Sequence, residues 1–121
     1  LGRVYTFALG AGKPLPEVPA YPQGELISGV KYDPAHIAEG TRIYVSNCVF
    51  CHGVPGVDKG GNIPNLGYVP SRDIANLADF VFNGPFVKKG MPDFTGKLSA
   101  DDVEKLKAFI QGTADAVRPK P

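Results

Sequence analysis

The sequence has no tryptophan, a single methionine and only two cysteines, and neither sign of charge is in clear excess. Its 13 basic and 12 acidic residues give a formal net charge of +1. No basic run is present, so nucleic acid is not an expected partner. No apolar stretch reaches the roughly 18 residues that indicate a membrane-spanning helix, so no transmembrane segment is expected. The chain opens with Leu1 and shows no charged-then-apolar leader, so we expect a removed signal peptide or a piece of a longer chain.

Both cysteines fall in one short motif, Cys48-Val49-Phe50-Cys51-His52. A Cys-x-x-Cys-His sequence is typical of c-type haem attachment. Two thiols at this spacing can each bond one vinyl group on the same edge of a porphyrin, and the following imidazole then lies under the iron. We therefore expect one covalently attached haem c, held by Cys48 and Cys51, with His52 as an iron ligand.

Three other interpretations of the two cysteines are open. A thioredoxin-like redox pair would be expected in a strand–helix–strand setting, whereas this motif follows a helix-like segment. A structural zinc site needs four ligands, and His36 is the only histidine outside the motif. A disulfide between residues three apart would be strained. The haem interpretation satisfies the order, spacing and chemistry of all three motif residues.

The chain divides by composition into four parts. Residues 1–9 are apolar, β-branched and bounded by glycine, which predicts a strand, although nothing else in the chain would form a sheet with it. Residues 10–32 are rich in proline and glycine and predict an extended linker. Residues 33–115 have helical periodicity and predict one all-α domain. Residues 116–121 form a polar tail.

Three main helices are predicted within that domain. The first begins at Asp33-Pro34, an N-cap followed by a proline at the first helical position, and runs into Cys48. The second is capped by Ser71 or Asp73 and ends at Gly84-Pro85. The third begins at Ser99, with Asp102 completing a capping box, and ends at Gly112. Residues 53–70 and 85–98 are predicted loops.

A haem iron with one histidine ligand has a second axial position, and two residues compete for it. Met91 is the only methionine, and it lies between Gly90 and Pro92 in a loop without helical or strand periodicity. A lone methionine is more often core filler. His36 is the rival, but it precedes Cys48 by twelve residues on the same predicted helix and would point away from the iron. We predict Met91 as the ligand and His36 as a surface residue.

From about residue 33 to residue 113 the sequence resembles class I cytochrome c. The resemblance depends on the Cys-x-x-Cys-His motif, on Gly40 and Tyr44 before it, on Ile63-Pro64-Asn65-Leu66 after it, and on Met91 and the last helix. It implies that the first and last helices cross, with Gly40 and Phe109 in contact. It also implies that the carbonyl of Pro64 accepts a hydrogen bond from Nδ1 of His52.

Tyr68 and Arg72 are candidates to hydrogen-bond the haem propionates. Together with Cys48, Cys51, His52, Pro64 and Met91, they complete the predicted cofactor-binding residues.

The apolar strand and the proline-rich linker before the haem motif resemble the C-terminal part of a quinohaemoprotein alcohol dehydrogenase. In that family a propeller domain binds pyrroloquinoline quinone (PQQ). The resemblance implies that this chain by itself is not an enzyme. It implies instead that the chain relays electrons from a PQQ-dependent domain to a soluble redox protein or a membrane quinone. It implies a bacterial periplasmic location, with PQQ bound only by the absent domain.

Two further functions are compatible with the sequence. A free-standing soluble cytochrome c would carry the same haem motif without an attached dehydrogenase. An enzyme or gas sensor with a five-coordinate haem would require Met91 to be a packing residue rather than a ligand. The state of the second axial position therefore decides between an electron carrier and a reactive haem.

Overall fold

The structure is a computed structural model that describes residues 4, 6–10, 12–17, 24–58 and 62–120. Over these residues it contains helices and loops, with one isolated bridge between Thr95 and Leu98 and no strand. The all-α class predicted from the sequence is confirmed. The helices are α1 (Ile37–Asn47), α2 (Val49–His52), α3 (Ser71–Ala75), α4 (Ala78–Val81) and α5 (Ala100–Val117), and 3-10 turns lie at Pro34–His36, Leu66–Tyr68 and Val87–Lys89.

Two of the predicted helices are interrupted in the structure. The first begins as predicted, because the side chain of Asp33 accepts a hydrogen bond from the backbone N–H of Ala35 at 2.9 Å. It breaks at Cys48, whose φ of −122° is outside the helical range, and α2 follows. The second is divided into α3 and α4 at Asn76, where φ is −106° and ψ is 35°. The two predicted helices are therefore four shorter α-helices in the structure.

The last helix is longer than the sequence predicts. It begins as expected, with Ser99 and Asp102 forming a reciprocal capping box. The prediction that it ends at Gly112 is wrong, because α5 continues to Val117. A Cβ at Gly112 would lie 2.9 Å from Cδ1 of Ile37, so this glycine provides room for packing against α1 rather than a helix end.

The crossing of α1 and α5 forms the centre of the core. At Gly40 the two backbones approach so closely that a Cβ would lie 2.0 Å from the carbonyl oxygen of Lys105. One turn later, Tyr44 is fully buried, and its ring centroid is 4.9 Å from that of Phe109. The glycine therefore permits a contact distance that any other residue at position 40 would obstruct.

Part of the predicted linker packs against α5. Ile27 and Val30 are buried in the core. Gln111, which is only 1% exposed, donates to the carbonyl of Ile27 at 3.2 Å and accepts from the N–H of Val30 at 3.3 Å. Arg118 donates to the same Ile27 carbonyl at 2.6 Å. The packed unit therefore begins before residue 33, because these apolar residues and backbone groups find partners on α5.

The described residues before position 18 are exposed and have no regular secondary structure. Val4 and Phe7 belong to the predicted strand, and they are 97% and 79% exposed. Leu1, Gly2, Arg3 and Tyr5 lie outside the described residues, so the interpretation of residues 1–9 as a strand stays a prediction. Pro19 and Pro22 of the predicted linker lie outside the described residues. Within the described part of the chain, no helix is long and apolar enough to cross a membrane.

We predict that Gly40→Ala destabilises the fold and that Gly112→Ala does so much less. Both changes lie inside helices, so both gain about the same ~1 kcal/mol of helix propensity. At position 40 the new methyl group meets backbone, which cannot move without separating the helices, and overpacking of this kind costs ~1–3 kcal/mol or more. At position 112 it meets the end of the Ile37 side chain, which can rotate. Denaturant unfolding of both variants measures the difference, and equal midpoints would contradict the role given to Gly40.

Candidate functional site

A cavity of about 510 Å³ is lined by residues of all five α-helices, of the loop containing Pro64 and of the loop containing Met91. This volume is within the range of ~300–1,000 Å³ that is usual for small-molecule and cofactor sites. Its walls are mainly apolar, with Ile74, Leu77, Phe94, Leu106 and Ile110 among them. Cys48, Cys51, His52, Pro64 and Met91 all line it, so the structure brings together five of the seven predicted site residues.

The cysteine motif is held in a short helical turn after the break at Cys48. The N–H of Cys48 donates to the carbonyl of Tyr44 at 2.8 Å, and the N–H of His52 donates to the carbonyl of Cys48 at 2.9 Å. This turn directs Cys48, Cys51 and His52 to the same cavity. Both thiols are free, Cys48 being half-buried and Cys51 exposed. Burial, and then the nearby Cys51, raise the pKa of the Cys48 thiol to about 11, so it is a neutral thiol at ordinary pH.

The imidazole of His52 is oriented by the backbone of the following loop. Its Nδ1 lies 2.8 Å from the carbonyl oxygen of Pro64. A carbonyl oxygen only accepts hydrogen bonds, so Nδ1 is the donor, and the neutral imidazole in this tautomer keeps its lone pair on Nε2. A bond of this kind fixes the tautomer and the ring plane, and it makes the imidazole a more basic ligand. His52 is therefore prepared to bind a metal through Nε2.

The side chain of Asn65 holds this loop, a role that was not predicted from the sequence. Asn65 is 3% exposed, and its Oδ1 accepts from the N–H groups of Gly56 and Gly67 at 3.0 and 2.8 Å. Its Nδ2 donates to the carbonyl of Val54 at 2.8 Å. One amide thus ties residues just after His52 to the segment carrying Pro64. The available signal was local, because an Asn before a turn commonly hydrogen-bonds the backbone two residues on.

The loop around Met91 is held in place at both ends. The N–H of Met91 donates to the carbonyl of Phe86 at 3.2 Å, after a left-handed turn at Gly90 with φ of 101°. On the other side, Asp93 accepts from the N–H groups of Asn83 and Thr95, each at 2.9 Å. The hydrogen bond from the Thr95 hydroxyl, with the two backbone bonds, lowers the pKa of Asp93 below its usual value. The half-buried Met91 side chain is presented to the cavity by this ordered loop.

Two of the predicted site residues do not line the cavity. The hydroxyl of Tyr68 donates to the carbonyl of Gly56 at 3.0 Å. The Arg72 side chain is 84% exposed and lies 3.5 Å from Asp73. His36, the rival ligand, is half-buried in the turn before α1 and is also absent from the cavity wall. The polar residues that do line it, and that sequence reasoning did not identify, are Asn47, Asn62, Asp73 and Lys89.

Comparison with known families agrees with this geometry. The family described as "Cytochrome C oxidase, cbb3-type, subunit III" matches residues 35–110, which include the cysteine motif, the Pro64 loop and Met91. The chain belongs to this family of cytochrome c domains. The predicted cytochrome c fold is thereby confirmed.

The predicted resemblance to quinohaemoprotein alcohol dehydrogenases is also confirmed. The chain is 66% identical over 120 residues to a quinohemoprotein alcohol dehydrogenase of Comamonas testosteroni, covering 99% of this chain and 17% of that protein. It is 65% identical over 119 residues to a 1-butanol dehydrogenase (cytochrome c) of Thauera butanivorans, again covering 17% of it. The crystal structure of the Comamonas enzyme superposes on 91% of this chain, and on 16% of its own length, with a TM-score of 0.78. This cytochrome domain thus spans about a sixth of these relatives.

The donor set of the cavity fits a c-type haem. Two thiols lie on one wall together with an imidazole whose Nε2 is free, and a thioether lines the same cavity. Histidine and methionine are the axial ligands of cytochromes c. The apolar walls suit the face of a porphyrin, since an apolar ring system packs against such side chains and needs no hydrogen bonds from them.

We predict that Asn65→Ala costs this cytochrome domain ~2–4 kcal/mol, because it leaves the N–H groups of the half-buried Gly56 and the buried Gly67 without partners. Asn76→Ala is the matched control, because the side chain of the exposed Asn76 makes a single hydrogen bond, to the carbonyl of Arg72. That control should change the free energy of unfolding by less than ~1 kcal/mol. Denaturant titration compares the two, and similar losses would show that Asn65 does not hold the loop.

Proposed function

We propose that this cytochrome domain is a one-electron carrier with one haem c, bound through Cys48 and Cys51 and ligated by His52 and Met91. The observation that carries the proposal is the cavity in which the oriented imidazole, both thiols and the only thioether of the chain meet. When bound, the haem supplies a reversible one-electron couple between ferric and ferrous iron.

The two thiols provide the covalent attachment. Each would hold the haem by adding across one of its vinyl double bonds, with sulfur bonded to one carbon and the thiol hydrogen to the other, so that no oxidant would be consumed. Cys48 and Cys51 are suited to this because one helical turn places both on the same cavity wall. Attachment at two points holds the cofactor beside His52 independently of the strength of the axial bonds.

The assignment of both axial positions to side chains favours electron transfer over catalysis. His52 and Met91 leave no position for a substrate or oxygen. The hydrogen bonds of the Asp93 carboxylate and of the Asn65 amide restrict the two loops that carry these residues. Little movement of the loops is therefore needed when the charge of the site changes. A thioether favours the reduced state and raises the potential.

The relatives support a place for this carrier within a larger dehydrogenase. We propose that it takes electrons from a PQQ-dependent alcohol dehydrogenase domain and delivers them to a soluble redox protein or a membrane quinone in the periplasm. The support is the 66% and 65% identity to parts of a quinohemoprotein alcohol dehydrogenase and of a 1-butanol dehydrogenase (cytochrome c). The exposed residues 12–17 would then belong to the connection between the two domains.

We expect Met91→Leu to lower the reduction potential by roughly 0.1 V or more, since axial ligands set haem potentials over a range of ~0.8 V. The variant should also bind carbon monoxide rapidly in the ferrous state. Leu98→Ile is the control, because Leu98 lines the same cavity without a ligating atom. Redox titration and carbon monoxide mixing test both variants. An unchanged potential in Met91→Leu, or rapid carbon monoxide binding by the native protein, would contradict the assignment of Met91 as an iron ligand.

We expect Cys48→Ala to leave the haem attached by a single thioether through Cys51. Its pyridine haemochrome band should move to longer wavelength, because one vinyl group stays conjugated with the ring. The double variant Cys48→Ala, Cys51→Ala should lose its haem entirely in denaturant. Phe50→Ala, at a fully exposed position between the two cysteines, is the control and should retain both bonds. Full haem retention by the double variant in denaturant would rule out thioether attachment.

A further inference from the structure

Tyr44 contacts both ends of the haem-attachment segment. Its carbonyl accepts from the N–H of Cys48 at 2.8 Å. Its hydroxyl donates to the carbonyl of Gly53 at 2.9 Å, and Gly53 follows His52 directly. The ring passes through the fully buried centre of the α1–α5 crossing, where it packs against Phe109. A single core residue thus connects the helix crossing to the peptide next to the proposed iron ligand.

The peptide between Gly53 and Val54 is held from both sides. Tyr44 binds its carbonyl oxygen, and the carboxylate of Asp58 accepts from its N–H. Gly53 has φ of 64°, in the left-handed region, and a Cβ there would lie 2.7 Å from Oδ2 of Asp58. Burial raises the pKa of the Tyr44 phenol well above its ordinary value, so the hydroxyl remains a neutral donor. The backbone leaving His52 therefore has one orientation, and the Tyr44 hydroxyl is the buried group that holds it.

We propose that the Tyr44 hydroxyl is a positioning group for His52, which directs the imidazole toward the Pro64 carbonyl and thereby adjusts the reduction potential. This inference deepens the proposed function and rests on it, since it takes His52 as an iron ligand. The Nδ1 bond to Pro64 makes the imidazole more basic, and a more basic ligand stabilises the ferric state. Loss of the hydroxyl frees the Gly53 carbonyl, lets the imidazole turn from Pro64, and raises the potential.

The test is Tyr44→Phe in the haem-loaded chain, which keeps the packed ring and removes one hydrogen bond. We expect the one-electron equilibrium against a mediator dye to shift ~threefold toward the ferrous state, which is about 28 mV for one electron. The hyperfine-shifted haem methyl signals of the ferric protein should also change, because they depend on the plane of the axial imidazole. If the Tyr44 hydroxyl had a structural role alone, its loss would lower stability and leave the potential and the methyl signals unchanged.

Two control variants separate positioning from general loosening. Thr41→Val removes another hydroxyl–carbonyl hydrogen bond from α1, that to Ile37 at 2.8 Å, one turn away from Tyr44. Val103→Ala removes buried methyl groups from α5 at a position that does not line the cavity. Both should lose stability without a shift in potential or in the methyl signals. Equal shifts in Tyr44→Phe and Val103→Ala would overturn the inference, as would no shift in Tyr44→Phe.

A second substitution keeps the test open if Tyr44→Phe fails to fold. Site-specific 3,5-difluorotyrosine at position 44 makes the phenol a stronger donor and should move the potential in the opposite direction. A shift in the same direction as Tyr44→Phe, or none, would overturn the proposed role. A wild-type spectrum without histidine ligation would instead contradict the proposed function itself. This outcome can be measured before any variant is made.

Discussion

The close approach of α1 and α5 at Gly40 is the constraint on which the rest of this structure depends. With no side chain at position 40, the Lys105 carbonyl can lie where a Cβ would otherwise be. This distance allows Tyr44 to be fully buried against Phe109, and the buried tyrosine in turn bonds Cys48 and Gly53. The geometry of the cysteine motif therefore depends on a helix crossing whose residues do not line the cavity.

Hydrogen bonds to backbone groups give the loops of this small fold their shape. Asn65, Asp93 and Gln111 each bind backbone atoms from segments distant along the chain, and Asp58 holds the turn after the motif. Within the described residues, no buried side-chain polar atom lacks a partner. Loops without secondary structure expose unpaired backbone groups, so their order requires such side chains. The proposed ligands His52 and Met91 both lie next to segments fixed in this way.

The local features could be predicted from the sequence, and the long-range ones could not. The Cys-x-x-Cys-His motif, the caps at Asp33 and Ser99 and the all-α class follow from short patterns in neighbouring residues. The predicted end of α5 was wrong because Gly112 was interpreted as a helix end. Gly112 instead provides room for the side chain of Ile37, a residue far away in sequence. The docking of Ile27 on Gln111 joins residues 84 positions apart, and no local pattern indicates it. The bonds from Asn65 to Gly56 and Val54, 9 and 11 positions earlier, were hidden for the same reason, whereas its bond to the N–H of Gly67 follows a local pattern.

The cavity wall and the hydrophobic core share several residues. Ile74, Phe94, Leu106 and Ile110 line the cavity and also belong to the buried cluster that joins the helices. A group that fills the cavity therefore contacts the side chains that hold α3, α5 and the Met91 loop together, and its binding free energy adds to the free energy of folding. Because the same side chains contact such a group and stabilise the fold, changes in the core away from the cavity, such as one at the α1–α5 crossing, are expected to affect the proposed ligands through packing rather than through charge.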